Sequence, residues 1–165
     1  MIQLTKIQWL TRTAILLALA LVFQMGGFPQ LITGPGINAI LFLSALSVGW
    51  SGGILIGICT PIVAAMRGIL PPPLTPLIPF IALGNGVLVI LFFWLQKKNK
   101  FLGVIIASTI KFLILVTAVN LLVQVPDKVA QIMSFPQLIT AVTGGLIALL
   151  IAQAIKSSGL EKIFN

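Results

Sequence analysis

Arg67 and Lys111 are the residues of this 165-residue chain whose types and positions point most directly to chemistry. Each lies within or at the edge of a long apolar run, and neither has an acidic neighbour in sequence. The chain contains only two acids, Asp127 in an expected loop and Glu161 in the tail. An ionisable side chain at membrane depth is costly, and by default it marks a functional position. Two such cations with no protein anion point to a negative charge that arrives with a ligand. Lys111 lies about ten residues into its apolar run, too deep to reach either membrane face easily. Arg67 precedes Gly68 and a run of prolines, so snorkelling to the headgroups is an equally physical role for it.

Other polar side chains lie along the same apolar runs. Asn38 follows the segment Gly-Pro-Gly, Asn85 lies between two glycines, and Asn120 comes late in the run that holds Lys111. A lone asparagine in such a run serves either as an interhelical hydrogen-bond partner or as a ligand contact. The hexapeptide FPQLIT occurs twice, at 28–33 and 135–140. Pro29 and Pro136 suit helix starts, where a missing N–H costs nothing. Gln30 and Gln137 would then occupy first turns, where free N–H groups and the positive dipole end favour an anion. The two copies are either twin helix-entry signals or two walls of one pocket. Taken together, Gln30, Asn38, Arg67, Asn85, Lys111, Asn120 and Gln137 are the candidate contacts to a small, anionic solute.

Catalysis has little to work with. There is no histidine and no tyrosine, and the one cysteine, Cys59, sits in an apolar run. No catalytic residues, no metal ligands and no cofactor are therefore expected. No GxxxxGK[ST] segment occurs, so the chain is not expected to hydrolyse nucleotides itself.

These residues must be positioned by helices in lipid. The composition is 59% hydrophobic and 7% charged, with a mean hydropathy of +1.19, more apolar surface than a soluble domain can hide. The pattern predicts an all-α integral membrane protein, a compact bundle of six transmembrane helices. Spans are expected at about 8–26, 37–50, 51–70, 76–96, 101–123 and 136–155 in a single domain over 1–165. The second is short, because GFPQLITGPG reads as a break before it; it either borrows residues from that break or is re-entrant, and the charge distribution favours a full span. The N-terminal run has no small-x-small cleavage site and is read as a permanent span. The net charge of +8 lies mostly in short flanks, which meet anionic lipid headgroups and not nucleic acid. With six spans, Lys6, Arg12, Lys97, Lys98, Lys100, Lys156 and Lys162 fall on the cytoplasmic side, together with both termini. Only Arg67 and Lys128 fall outside, as the positive-inside rule requires.

Small residues recur at helical spacing: Ala14 and Ala18 in the first span, Gly53 and Gly57 in the third. Such pairs serve close packing within the chain or docking of a partner membrane protein. With its six spans, its opening LTRTAILLALALVF and its Gly/Pro-rich first outer loop, the chain resembles the substrate-binding S components of energy-coupling factor (ECF) transporters. The resemblance implies a bacterial or archaeal plasma-membrane protein that binds a vitamin-like micronutrient in an outward pocket. It also implies a transmembrane coupling subunit, contacted through Ala14 and Ala18 and less surely through Gly53 and Gly57, and two ATPase subunits. The absence of N-terminal histidines argues against nickel or cobalt as the cargo. A stand-alone small transporter or channel, or a structural cell-envelope protein, is the alternative.

Reporter fusions test the topology. Fusions at residue 99 and at the C-terminus are both expected to report cytoplasm, and an outward signal at either would contradict six spans.

Overall fold

The computed structural model describes residues 4–68 and 72–159, so Glu161 and Lys162 lie outside the described residues. The chain is all helical. It forms α1 (Lys6–Met25), α2 (Gln30–Ser47), α3 (Gly49–Met66), a 3-10 turn (Pro72–Leu77), α4 (Ile78–Leu95), α5 (Lys100–Thr117), a π turn (Ala118–Leu122), α6 (Asp127–Ile132) and α7 (Phe135–Ser157). Six segments are long and apolar enough to cross a membrane.

Local sequence explains most boundaries. Thr5 and Gln8 form a reciprocal capping box at the start of α1, with Thr5 Oγ1 accepting from Gln8 N at 3.2 Å and Gln8 Oε1 accepting from Thr5 N at 3.1 Å. Asn99 caps α5 by accepting from Leu102 N at 3.0 Å, so the polar cluster KKNK is both a charged flank and a helix start. The π turn closes with Val123 N donating to Ala118 O at 2.9 Å. A short helix, α6, occupies the loop expected between the last two spans, opening after Pro126 with Asp127 in its first turn.

The second span corrects the expected boundary. It begins at Gln30 and not at 37, and Gly34, Pro35 and Gly36 lie within the helix. Proline removes the hydrogen bond to the carbonyl four residues back. For Pro35 that carbonyl belongs to Leu31, in the exposed first turn of the helix. The flanking glycines serve packing. A Cβ on Gly34 would come 2.9 Å from the Thr140 side chain, and Gly36 lies against the Phe23 ring.

The helix α2 is the centre of the bundle. Its span window is 67% buried, against 11% for α1 at the periphery. It packs most extensively on α7, while α4 bridges α3 and α5. The core joins Leu41, Phe42 and Ala45 to Ile56, Leu88, Phe92, Ala107 and Ala148. The rings of Phe42 and Phe92 meet edge to face at 4.7 Å. Without a hydrophobic drive between helices in lipid, such close fits hold the bundle together. At Gly144 the close neighbours include backbone atoms of α2. A Cβ there would lie 2.6 Å from Asn38 Cβ, 2.7 Å from Pro35 O and 2.8 Å from Ala39 N.

These contacts allow a matched comparison. Gly144→Ala must displace backbone and is expected to destabilise by about 1–3 kcal/mol. Gly86→Ala meets nothing within 4 Å and is expected to be neutral. Thermal unfolding in detergent checks both, and equal midpoints for the two variants would contradict this packing.

Candidate functional site

A cavity of about 90 Å³ opens at one end of the bundle. The beginnings of α2, α4 and α7, the ends of α1 and α3, and the later half of α5 all contribute to it. The basic flanks Lys97, Lys98, Lys100 and Lys156 lie at the opposite ends of these helices. By the positive-inside rule, the cavity end is then the outer one.

Lys111 lies on the wall of this cavity and is 4% exposed. Its Nζ donates to Asn38 Oδ1 at 2.7 Å. Asn38, 2% exposed, is itself held by donation from its Nδ2 to Gly34 O at 2.9 Å. Both polar ends of the Asn38 amide are thus engaged, and its oxygen is turned toward the ammonium. An ammonium carries three donors, and Asn38 takes one. No carboxylate among the described residues pairs with it. The lysine stem passes Gly84, where a Cβ would lie 3.2 Å from Lys111 Cγ. On α5, Ser108 and Leu115 share the buried face with Lys111, as the helical spacing predicts.

Asn85 is placed by a proline. Pro61 within α3 cannot donate to the carbonyl four residues back, that of Gly57. A bare carbonyl in lipid or in a core is costly. Asn85 Nδ2 supplies the missing donor at 2.9 Å from Gly57 O. The approach is possible because residue 57 is glycine, since a Cβ there would sit 2.9 Å from Asn85 Cβ. The amide nitrogen is therefore committed, and the buried Oδ1 of Asn85 has no hydrogen-bond partner among the described residues.

Both copies of FPQLIT enter the same site. Gln30 is the first residue of α2 and Gln137 the third of α7, so both lie in first turns, and both line the cavity. Gln30 is exposed at the rim, whereas Gln137 is buried, with its Nε2 at 3.7 Å from Met133 Sδ. Thr33 Oγ1 donates to Phe28 O at 3.0 Å and Thr140 Oγ1 to Gln137 O at 3.1 Å.

Two candidates stand apart. Arg67 is the exposed C-cap residue of α3, and Asn120 is an exposed residue of the π turn that donates to Val116 O at 2.8 Å. Neither lines the cavity. Arg67 follows the last turn of its helix, outside the ring of cavity residues. The π turn rotates the end of α5, and the asparagine amide satisfies its own helix. Conversely, Gln24, Thr60 and Met133 line the cavity without having stood out in the sequence. Thr60, next to Pro61, is the one with a readable signal, because it lies where α3 loses a backbone bond.

The small-residue pairs divide in the same way. Ala14 and Ala18 are exposed on α1. Gly53 and Gly57 are buried inside the chain. A Cβ on Gly53 would lie 2.6 Å from Val89 and 2.7 Å from Ser44 Oγ. They pack closely against α4 and α2. A second, larger cavity of about 320 Å³ is lined only by apolar residues and glycine, among them Ile58, Leu83 and Ile90, which are exposed. In a membrane these face lipid, so its size carries no weight as a solute site. Among the described residues no group of three or more His, Cys, Asp or Glu gathers to hold a metal.

The family model for the ECF transporter substrate-specific component matches residues 8–160. No curated protein and no solved structure shows a significant match. The six apolar helices agree with a multipass protein of the bacterial or archaeal plasma membrane. The chain belongs to the substrate-specific components of ECF transporters, a family of transport subunits and not of enzymes.

Proposed function

We propose that this subunit captures a small anionic solute from the outer side of the membrane, with Lys111 as the charge that holds it. The observation that carries this reading is the Lys111 ammonium, almost wholly buried on a cavity wall and bonded to the neutral amide of Asn38. A buried charge is strongly disfavoured without a counter-charge. An entering anion supplies one. Asn38 positions the ammonium, and Gln30 and Gln137 offer amides at the entrance and on the wall. Solute capture then stabilises the bundle by mass action.

Energy for uptake comes from partners in this proposal: a transmembrane coupling subunit and two ATPase subunits, as in ECF systems generally. The exposed Ala14 and Ala18 on the least buried helix let another helix approach closely. Gly53 and Gly57 take no part.

Lys111→Ala is expected to weaken solute binding by about tenfold or more, the size of a lost charge-assisted hydrogen bond. Arg67→Ala is expected to leave it unchanged. Titration calorimetry on the purified chain measures both, and full affinity in Lys111→Ala would contradict the reading. Tagged protein drawn from native membranes in mild detergent is expected to bring a coupling subunit and two ATPases. Recovery of the chain alone would favour a stand-alone carrier.

A further inference from the structure

From the cavity's polar groups and size we infer its solute class: a small aliphatic monocarboxylate that also carries a hydroxyl or N–H. This inference rests on the anion-capture reading and narrows it.

The charge count comes first. Among the described residues Lys111 is the one cation on the cavity wall, with Arg67 and Lys128 both exposed elsewhere. One ammonium neutralises one negative charge. A phosphate monoester carries close to two charges at neutral pH, and its second charge would enter the cavity without a second cation among the described residues to meet it. That cost favours a carboxylate.

The second constraint is an acceptor. Thr13 Oγ1, Ser108 Oγ and Asn85 Oδ1 are the buried side-chain atoms without a hydrogen-bond partner among the described residues, and of these residues only Asn85 lines the cavity. Its nitrogen is fixed on Gly57 O by the proline in α3, so the amide cannot turn over to present a donor. A buried acceptor left unsatisfied costs about 1–3 kcal/mol. A solute hydroxyl or N–H removes that cost. A hydroxyl on Thr or Ser can rotate to serve either role, whereas this amide oxygen only accepts.

Shape is the third constraint. No Phe or Trp among the described residues lines the cavity, and the chain has no tyrosine. Its apolar surface comes from Ile37, Pro61, Leu74, Ile81 and Met133, which suit an aliphatic skeleton and offer no ring a stacking partner. About 90 Å³ is room for roughly six to nine waters at about 10–15 Å³ each. That space suits a small solute.

Calorimetric titration of the full chain in detergent with five small probes tests the inference. Mevalonate is an aliphatic hydroxy-monocarboxylate, mevalonolactone its uncharged form, and 3-methylvalerate its counterpart without hydroxyls. Benzoate is flat and aromatic, and glycerol 3-phosphate carries the phosphate. Mevalonate is expected to bind at least about tenfold more tightly than each of the others. Asn85→Leu is expected to abolish its advantage over 3-methylvalerate. Tighter binding of benzoate or glycerol 3-phosphate would overturn the solute class and leave anion capture standing. Equal binding of mevalonolactone would overturn anion capture itself. No measurable mevalonate binding, or equal binding of 3-methylvalerate, would overturn the inferred class. The comparison among probes is made on the unmodified chain, so it stands even where a variant fails to fold.

Discussion

The hydrogen bond from Lys111 to Asn38 joins the fold to its use. In lipid, a polar group that leaves water must find a partner within the protein. Asn38 lies on α2, the most buried helix, and Lys111 on α5. Their 2.7 Å contact ties the centre of the bundle to the helix that carries the charge. Asn38 in turn is fixed by Gly34 O and lies against Gly144 of α7. Three helices thus agree on where one ammonium stands. The bond satisfies part of the ammonium's donor capacity and none of its charge, which is what supports the proposed capture of an anion.

The same rule of internal satisfaction builds the opposite wall. Pro61 removes a backbone donor, Asn85 replaces it, and Gly57 makes room for the exchange. A packing glycine, a helix defect and a cavity acceptor are one device in three residues. Gly57 is thereby committed to packing within the chain, whereas the small residues Ala14 and Ala18 of α1 are exposed.

Much of this was legible in the sequence. Composition and spacing gave the membrane class and six spans, because burying apolar surface in lipid leaves few alternatives. Lys111, Asn85 and the two FPQLIT glutamines were visible as polar residues out of place in apolar runs, and all four line the cavity. The FPQLIT copy at 28–33 pointed to a helix start at Pro29, but the continuation of α2 through Gly34, Pro35 and Gly36 was not legible, since Gly-Pro-Gly carries the local signal of a break. Only Thr140 and Phe23, distant in sequence, show that those glycines are contact points within a helix. Nor was the absence of Arg67 and Asn120 from the cavity legible, since depth along a helix says little about which way a terminal turn faces.

The central claim is that Lys111 is kept for a solute and not for the fold. The most direct test is the unfolding temperature of the solute-free double variant Lys111→Met with Asn38→Leu, in which apolar groups of similar volume replace the whole pair. Replacing both partners of a buried polar contact is commonly neutral or stabilising. The expected result is a midpoint equal to or above that of the native chain. A fall of several degrees would show that the pair holds the bundle together, and would contradict a cation retained for an incoming anion.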